Sequence, residues 1–148
     1  RNVIGIFIRK TLNGEPILVY GDGEQTRAFS DIQYYMEPFD ILLTEHDGEI
    51  FNIGADKYFT LNQVAETVQE VGKKYGYEVP IEHGPPRHEV KHAYCDHTKA
   101  KNLLKFKDNT ELENLIEKLF VWAMKEPNRK VKDIEYEVTK DIYEYWRT

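Results

Sequence analysis

The side chains best suited to chemistry in this chain lie close together. Residues 18–29 read LVYGDGEQTRAF, an apolar run, two glycines one residue apart, and an arginine. An apolar strand that ends in a glycine turn makes a small ledge. The main chain at Leu18 can hydrogen-bond a nucleobase, and the Tyr20 ring can stack on it. Arg27 then offers a planar, two-pronged guanidinium, the geometry that suits diphosphate oxygens. A plainer reading fits the same residues, namely a hairpin with a surface arginine. Composition alone favours it, because such turns are common connectors.

Other candidate groups are weaker. His83, His88, His92, Cys95 and His97 cluster loosely along the chain. Zinc needs fixed ligand spacing and an ordered outer shell, and no such spacing occurs, so no metal is expected. Gly21-Asp22-Gly23-Glu24-Gln25-Thr26 lacks the third glycine of a dinucleotide-binding turn, and no helix follows it. Tyr143, Tyr145 and Trp146 read as packing residues.

Composition limits what these residues can serve. The chain has 148 residues, is 41% hydrophobic and 31% charged, and has a net charge of -6 from 20 Lys+Arg against 26 Asp+Glu. That is one domain's worth of chain with enough apolar content for a core, and residues 1–148 are read as a single unit. No Lys/Arg run stands out, so nucleic acid is not expected as a partner. The overall field repels anions, so an anionic ligand must be held by a few local arginines. A lone cysteine, Cys95, excludes an intrachain disulfide and fits a reducing, cytoplasmic setting. No apolar stretch is long enough to span a bilayer, and no signal peptide is evident. The sequence opens at Arg1 inside what reads as a helix, which suggests a fragment or trimmed chain.

The elements that must position the ledge follow from periodicity. Residues 3–13 read as an amphipathic helix stopped by Gly14 and Pro16. Ile17 to Tyr20 is a strand, Gly21 to Gly23 a turn, and Gln25 to Phe29 the returning strand. A helix begins near Pro38, and Glu49 to Ile53 is a strand. Thr60-Leu61-Asn62-Gln63 is a capping-box signature, followed by Leu61, Val64, Ala65, Val68 and Val71 at helical spacing up to Gly76. Val79 to His83 is a strand, and Gly84-Pro85-Pro86 a loop. Asp96 caps a short helix through Leu104. Thr110-Glu111-Leu112-Glu113 is a second capping box, opening a helix that stops before Pro127. Residues 136–146 form a last, aromatic-rich helix. Helices alternating with short strands make the class α/β or α+β.

Taken together, Asn2-Val3-Ile4, Phe7-Ile8-Arg9, Leu12-Asn13-Gly14-Glu15-Pro16, Val19-Tyr20-Gly21-Asp22-Gly23 and Gln25-Thr26-Arg27 closely resemble the nucleotide-sugar epimerase/dehydratase family. These are extended short-chain dehydrogenases, among them UDP-glucose 4-epimerases and UDP-glucuronate decarboxylases. The resemblance runs on through Phe51-Asn52-Ile53-Gly54, the Thr60-capped helix, Pro86-Arg87-His88-Glu89-Val90, Asp96, Lys99, Ala100 and Leu103-Leu104, covering roughly residues 2–125. The resemblance implies an α/β fold, the C-terminal substrate-binding part of that family with the Rossmann half missing.

It further implies that Leu18 and Tyr20 hold the base, Arg27 binds the diphosphate, and Arg87 with Glu89 binds phosphate and ribose. The ligand would be a UDP-, dTDP- or GDP-sugar. NAD is expected in the complete enzyme and not in this chain alone. The family's catalytic tyrosine precedes a lysine by four residues. Tyr136 and Lys140 have that spacing but lie past the matched region, where it is usually a surface pair, so catalytic residues are expected upstream of Arg1. The chain is therefore read as the nucleotide-sugar-binding portion of an isomerase or lyase, not catalytic by itself. The alternative is a stand-alone, non-catalytic nucleotide- or sugar-binding or interaction module. Two spatial expectations follow. Arg27 and Arg87 should face one cleft. Val3, Ile4, Phe7 and Ile8 should be exposed where the missing NAD-binding half would dock, inviting self-association.

Overall fold

In the computed structural model, residues 2–127 are described. Helix α1, Val3–Leu12, starts where the Asn2 side chain accepts from the Gly5 amide, and Arg9 and Lys10 sit favourably in its last turn. Gly14, at φ +72°, lets the chain leave the helix and enter strand β1, Ile17–Tyr20. Strand β2 is Thr26–Ala28. One turn of 3-10 helix, Ile32–Tyr35, leads into α2, Met36–Thr44, with Pro38 accommodated in the first helical turn.

Strand β3, Tyr58–Thr60, runs directly into α3, Leu61–Lys74. The capping box forms as expected. The Thr60 hydroxyl accepts from the Gln63 amide, and the Gln63 side chain accepts from the Thr60 amide. Strand β4, Ile81–Gly84, strand β5, His92–Ala93, helix α4, Thr98–Leu103, and helix α5, Leu112–Lys125, complete the described order.

Two small sheets result. β1 pairs parallel with β4, and β2 lies between an antiparallel β3 and a parallel β5. The main core gathers Ile4, Phe7 and Ile8 of α1, Ile17 and Val19 of β1, the apolar face of α3, and Leu112, Ile116 and Phe120 of α5. α3 touches both α1 and α5, and its stripe from Leu61 to Val71 is buried along its length. A smaller core holds Ala100, Leu104 and Phe106, with Tyr35, Ile41, Phe51 and Ile53 packed around it.

Several expectations are corrected. β2 does not return along β1. It joins a different sheet, so residues 18–29 are not a hairpin. The chain between Gly21 and Gln25 carries it onto the N-terminus of α3 instead, where the Leu61 amide donates to the Gln25 carbonyl. Residues 49–53 form no strand. Side chains take backbone acceptors there, with the Lys99 ammonium on the Ile50 carbonyl and the Tyr35 hydroxyl on that of Ile53.

The second capping box does not form either. The Thr110 hydroxyl donates to Asp108 and accepts from the Asp31 amide, so α5 begins at Leu112 without a side-chain cap. β4 starts two residues later than expected, and β3 and β5 were not foreseen. Ile4, Phe7 and Ile8 are not exposed but lie 2–3% accessible within the chain's own core, and Val3 packs half-buried against it. The exposed apolar stripe lies instead along Ile32, Met36, Phe39 and Leu43, at helical spacing on and before α2. The expected helix at 136–146, with Tyr136, Lys140, Tyr143, Tyr145 and Trp146, falls outside the described residues.

Candidate functional site

The site is built where the two sheets meet the start of α3. β1 buries Ile17 and Val19, so the alternation of a strand turns Leu18 and Tyr20 to the opposite side. Across the parallel ladder Leu18 faces Glu82 and Tyr20 faces Gly84, and a Cβ at Gly84 would come within 3.3 Å of Leu18 Cδ1 and 3.4 Å of Tyr20 Cδ1. The glycine thus lets the Tyr20 ring lie close over β4. The Gly21 amide extends the ladder to the Gly84 carbonyl at 3.1 Å.

The turn is held from outside. Gly21 and Gly23 both adopt φ +75°, a conformation costly for residues with a Cβ. A Cβ at Gly23 would also overlap the Asn62 amide. Asn62 donates from Nδ2 to the Asp22 carbonyl and to the Glu24 carboxylate, each at 2.9 Å, and its Oδ1 accepts from His83 Nε2 at 3.0 Å. The first turn of α3 therefore fixes the glycine turn through one side chain.

Beyond it, Gln25 is 7% exposed, and its amide donates to the Tyr20 carbonyl at 3.0 Å. The same nitrogen lies 3.5 Å from Glu89 Oε1. Arg27, half-buried on β2, donates from Nη1 to the Thr26 carbonyl at 2.8 Å and from Nη2 to Glu89 Oε2 at 2.6 Å. The Arg87 guanidinium carbon stands 3.2 Å from the centroid of the Tyr20 ring, a cation–π contact.

All five residues singled out in the sequence, Leu18, Tyr20, Arg27, Arg87 and Glu89, therefore converge. Arg27 and Arg87 come to the same cluster through Glu89, Gln25 and Tyr20. Gln25 and Asn62 were missed as site residues. Gln25 lies within the ledge, but its bond to Tyr20 depends on β2 leaving β1's sheet. Asn62 is 39 positions beyond Gly23 and carries no local signal.

The histidines disperse. His83 meets Asn62, His92 Nδ1 lies 2.9 Å from the Thr26 hydroxyl, and His97 Nε2 lies 2.7 Å from Asp56. Among the described residues, no three His, Cys, Asp or Glu side chains gather as a metal would need. Asp56 also accepts from Lys101, and the Lys101 ammonium, with His97 beside it, holds its carboxyl below the usual aspartate range. This cluster ties Asp56 to α4 through Lys101.

An open groove of about 680 Å³ lies elsewhere, between the 3-10 turn and α5, lined by Asp31, Tyr34, Lys118 and Trp122. Asp31 and Lys118 pair with each other there at 2.9 Å. Volume alone would direct attention to this groove. The arginines, the stacked tyrosine and the glycine turn are at the other cluster, and chemistry decides between the two. None of the helices among the described residues is long and apolar enough to cross a membrane.

The sequence profile of the family described as GDP-mannose 4,6 dehydratase matches residues 1–119. A UDP-N-acetyl-alpha-D-glucosaminuronate decarboxylase of Bacillus cytotoxicus is 32% identical over 125 residues, covering 81% of this chain and 39% of the relative. A UDP-glucose 4-epimerase of Thermotoga maritima, crystallised with UDP-glucose, superposes with a TM-score of 0.69 at 28% identity, covering 84% of this chain and 40% of that one. A dTDP-glucose 4,6-dehydratase of Bacillus anthracis, crystallised with NAD, superposes with a TM-score of 0.71 at 21% identity, covering 84% and 39%. That last likeness speaks to fold alone. The fold is that of the C-terminal portion of extended short-chain dehydrogenase epimerases and dehydratases. The chain spans less than half the length of the curated relatives it matches.

Proposed function

We propose that this chain, which belongs to the GDP-mannose 4,6 dehydratase family, forms the nucleotide-sugar-binding portion of an epimerase or dehydratase and performs no turnover by itself. The observation that carries the reading is the convergence of Leu18, Tyr20, Arg27, Arg87 and Glu89 around one glycine turn. In this reading the β1 edge and Tyr20 receive the base. Arg27 takes the diphosphate, and Arg87 and Glu89 take phosphate and ribose. The arginines supply local positive charge that the chain's net -6 does not.

NAD and the catalytic pair belong to the part of the family fold that this chain does not span. Hydride transfer needs a nicotinamide held at the reacting carbon, and proton removal needs a base beside a hydroxyl. Binding without those groups gives uniform binding and no acceleration. The cytoplasm is the expected setting.

The test is a two-dimensional NMR titration of the 148-residue chain with UDP-glucose and, separately, NAD. The reading expects shift changes confined to residues 18–29 and 84–91 with UDP-glucose, no saturable response to NAD, and no epimer formed when both are present. Perturbations centred on the Asp31–Lys118 groove would refute the assignment of the site. Epimer formation abolished by Tyr136→Phe would refute the claim that the chain is inactive alone.

A further inference from the structure

The two ends of the candidate site stand on different sheets. Leu18 and Tyr20 are on β1, which pairs with β4, and Arg27 is on β2, between β3 and β5. Among the described residues no strand ladder joins β1 to β2, so the span between them depends on how residues 21–25 are held. The first turn of α3 holds them. The Leu61 amide donates to the Gln25 carbonyl and the Asn62 amide to that of Gly23, each at 3.1 Å. The Asn62 side chain adds the Asp22 carbonyl and the Glu24 carboxylate, each at 2.9 Å. The fit is close enough that a Cβ on Gly23 would overlap the Asn62 amide. Arg27 is tied to the same segment, because its ladder partner is Phe59 on β3, which runs straight into α3. α3 itself is anchored in the main core through Leu61, Val64 and Val68.

We infer that Asn62 is a positioning residue of this site: through the glycine turn it fixes the distance and angle between the base ledge at Leu18 and Tyr20 and the guanidinium of Arg27. The inference rests on the reading of those residues as base and diphosphate contacts. Its physical basis is preorganisation. A ligand that carries base and diphosphate on one frame gains from both contacts only when they are already spaced to match it. A fragment that touches one end gains nothing from the span. Asn62 needs no contact with the ligand for this role. The main-chain bonds from Leu61 and Asn62 do not depend on the side chain at 62, so a substitution there loosens the turn without releasing it. The benefit of order cannot exceed the bonds that impose it, and this sets the scale of the effect.

The experiment is NMR titration of the wild-type chain, Asn62→Ala, Asn62→Asp and Arg27→Ala with UDP, uridine and pyrophosphate, each protein first shown to be folded by its thermal transition. Asn62→Asp keeps the side chain's size and the acceptor that faces His83 Nε2, but it loses both donations and sets a carboxylate beside that of Glu24. Both Asn62 variants should bind UDP roughly three- to tenfold more weakly than wild type, the scale of a net hydrogen bond, with Asn62→Asp the weaker. Their uridine and pyrophosphate affinities should stay within about twofold of wild type. Arg27→Ala should weaken UDP and pyrophosphate and leave uridine as it was. UDP affinity that is unchanged in both Asn62 variants, or that falls in proportion with uridine or pyrophosphate affinity, overturns the positioning role, and the site reading stands if Arg27→Ala still weakens UDP. Equal UDP affinity for wild type and Arg27→Ala, or no UDP binding by any of the proteins, overturns the site reading and the inference with it.

Discussion

The main core and the smaller core solve the same problem to different degrees. In the first, α1, α3, α5 and β1 close on one another and leave Ile17, Val19, Val64, Val68, Ile116 and Phe120 fully enclosed. In the second, only Ala100, Leu104 and Phe106 are buried, the surrounding aromatics are partly wet, and Leu43 and Ile50 are 84% and 85% exposed. The candidate site belongs to the well-closed side. Its glycine turn hangs on the first turn of α3, and its strand β1 contributes to the main core. A ledge of this kind needs a rigid support, because binding geometry depends on residues whose own positions are fixed by packing. The half-closed side leaves apolar side chains such as Leu43 and Ile50 in water.

The sharpest way to break the comparison is to remove packing from each side. Phe120→Ala should destabilise the chain by about 3–5 kcal/mol, through lost burial and the cavity left between α3 and α5, and lower the main thermal transition. Phe106→Ala removes an equally large ring, but from a smaller cluster. Its effect should appear as faster amide exchange over residues 31–56 and 95–106, with α1 and α3 protected nearly as in wild type. Equal global losses from both substitutions would show that the two clusters melt as one.

The link between the regions should be sensitive to acid. Asp31 joins the 3-10 turn to α5 through Lys118, and that bond, with the Gln33 amide, holds its carboxyl below the usual aspartate range. Because the folded value is depressed, the linkage stabilises fully above the ordinary value and is lost as pH falls through the lower, folded one. Asp31→Asn should cost about 1 kcal/mol at pH 7 by chemical denaturation, and that difference should disappear in acid. A wild-type-to-variant gap that persists at pH 2 would show that the charge is not responsible.

The smallest effect is expected on the open face. Leu43→Glu should change stability by no more than about 0.5 kcal/mol, because the side chain is exposed. A larger loss, read from the same denaturation curves, would mean that the α2 stripe is covered in solution.

What the sequence disclosed divides along the same line. The Thr60 box and the spacing from Leu61 to Val71 are local signals, and the helix they announce is the one that carries the turn. The glycines at 21 and 23 and the arginine at 27 were equally legible, since positive φ and a fork-shaped cation are properties of residue types. The pairing of β2 was not. Its partners are three- and two-residue strands more than thirty positions away, too short for alternation to show. Residues 49–53 misled for the opposite reason. They alternate as a strand does, with Phe51 and Ile53 turned inward and Ile50 outward, yet no neighbouring backbone completes a ladder. Alternation reports one buried face, and strand pairing needs a partner as well. α1 misled because its apolar face was assigned to a missing partner, when α3 and α5, much later in the chain, cover it.

The most direct measurement is UDP-glucose affinity by calorimetry for wild type and Arg27→Ala, with the thermal transition confirming an intact fold. The account predicts a loss of roughly 1.5–3 kcal/mol, about ten- to 150-fold, because one charge-assisted, two-pronged contact to the diphosphate is removed. Equal affinities for the two proteins would contradict it, and Arg27 would then be only a surface arginine paired with Glu89.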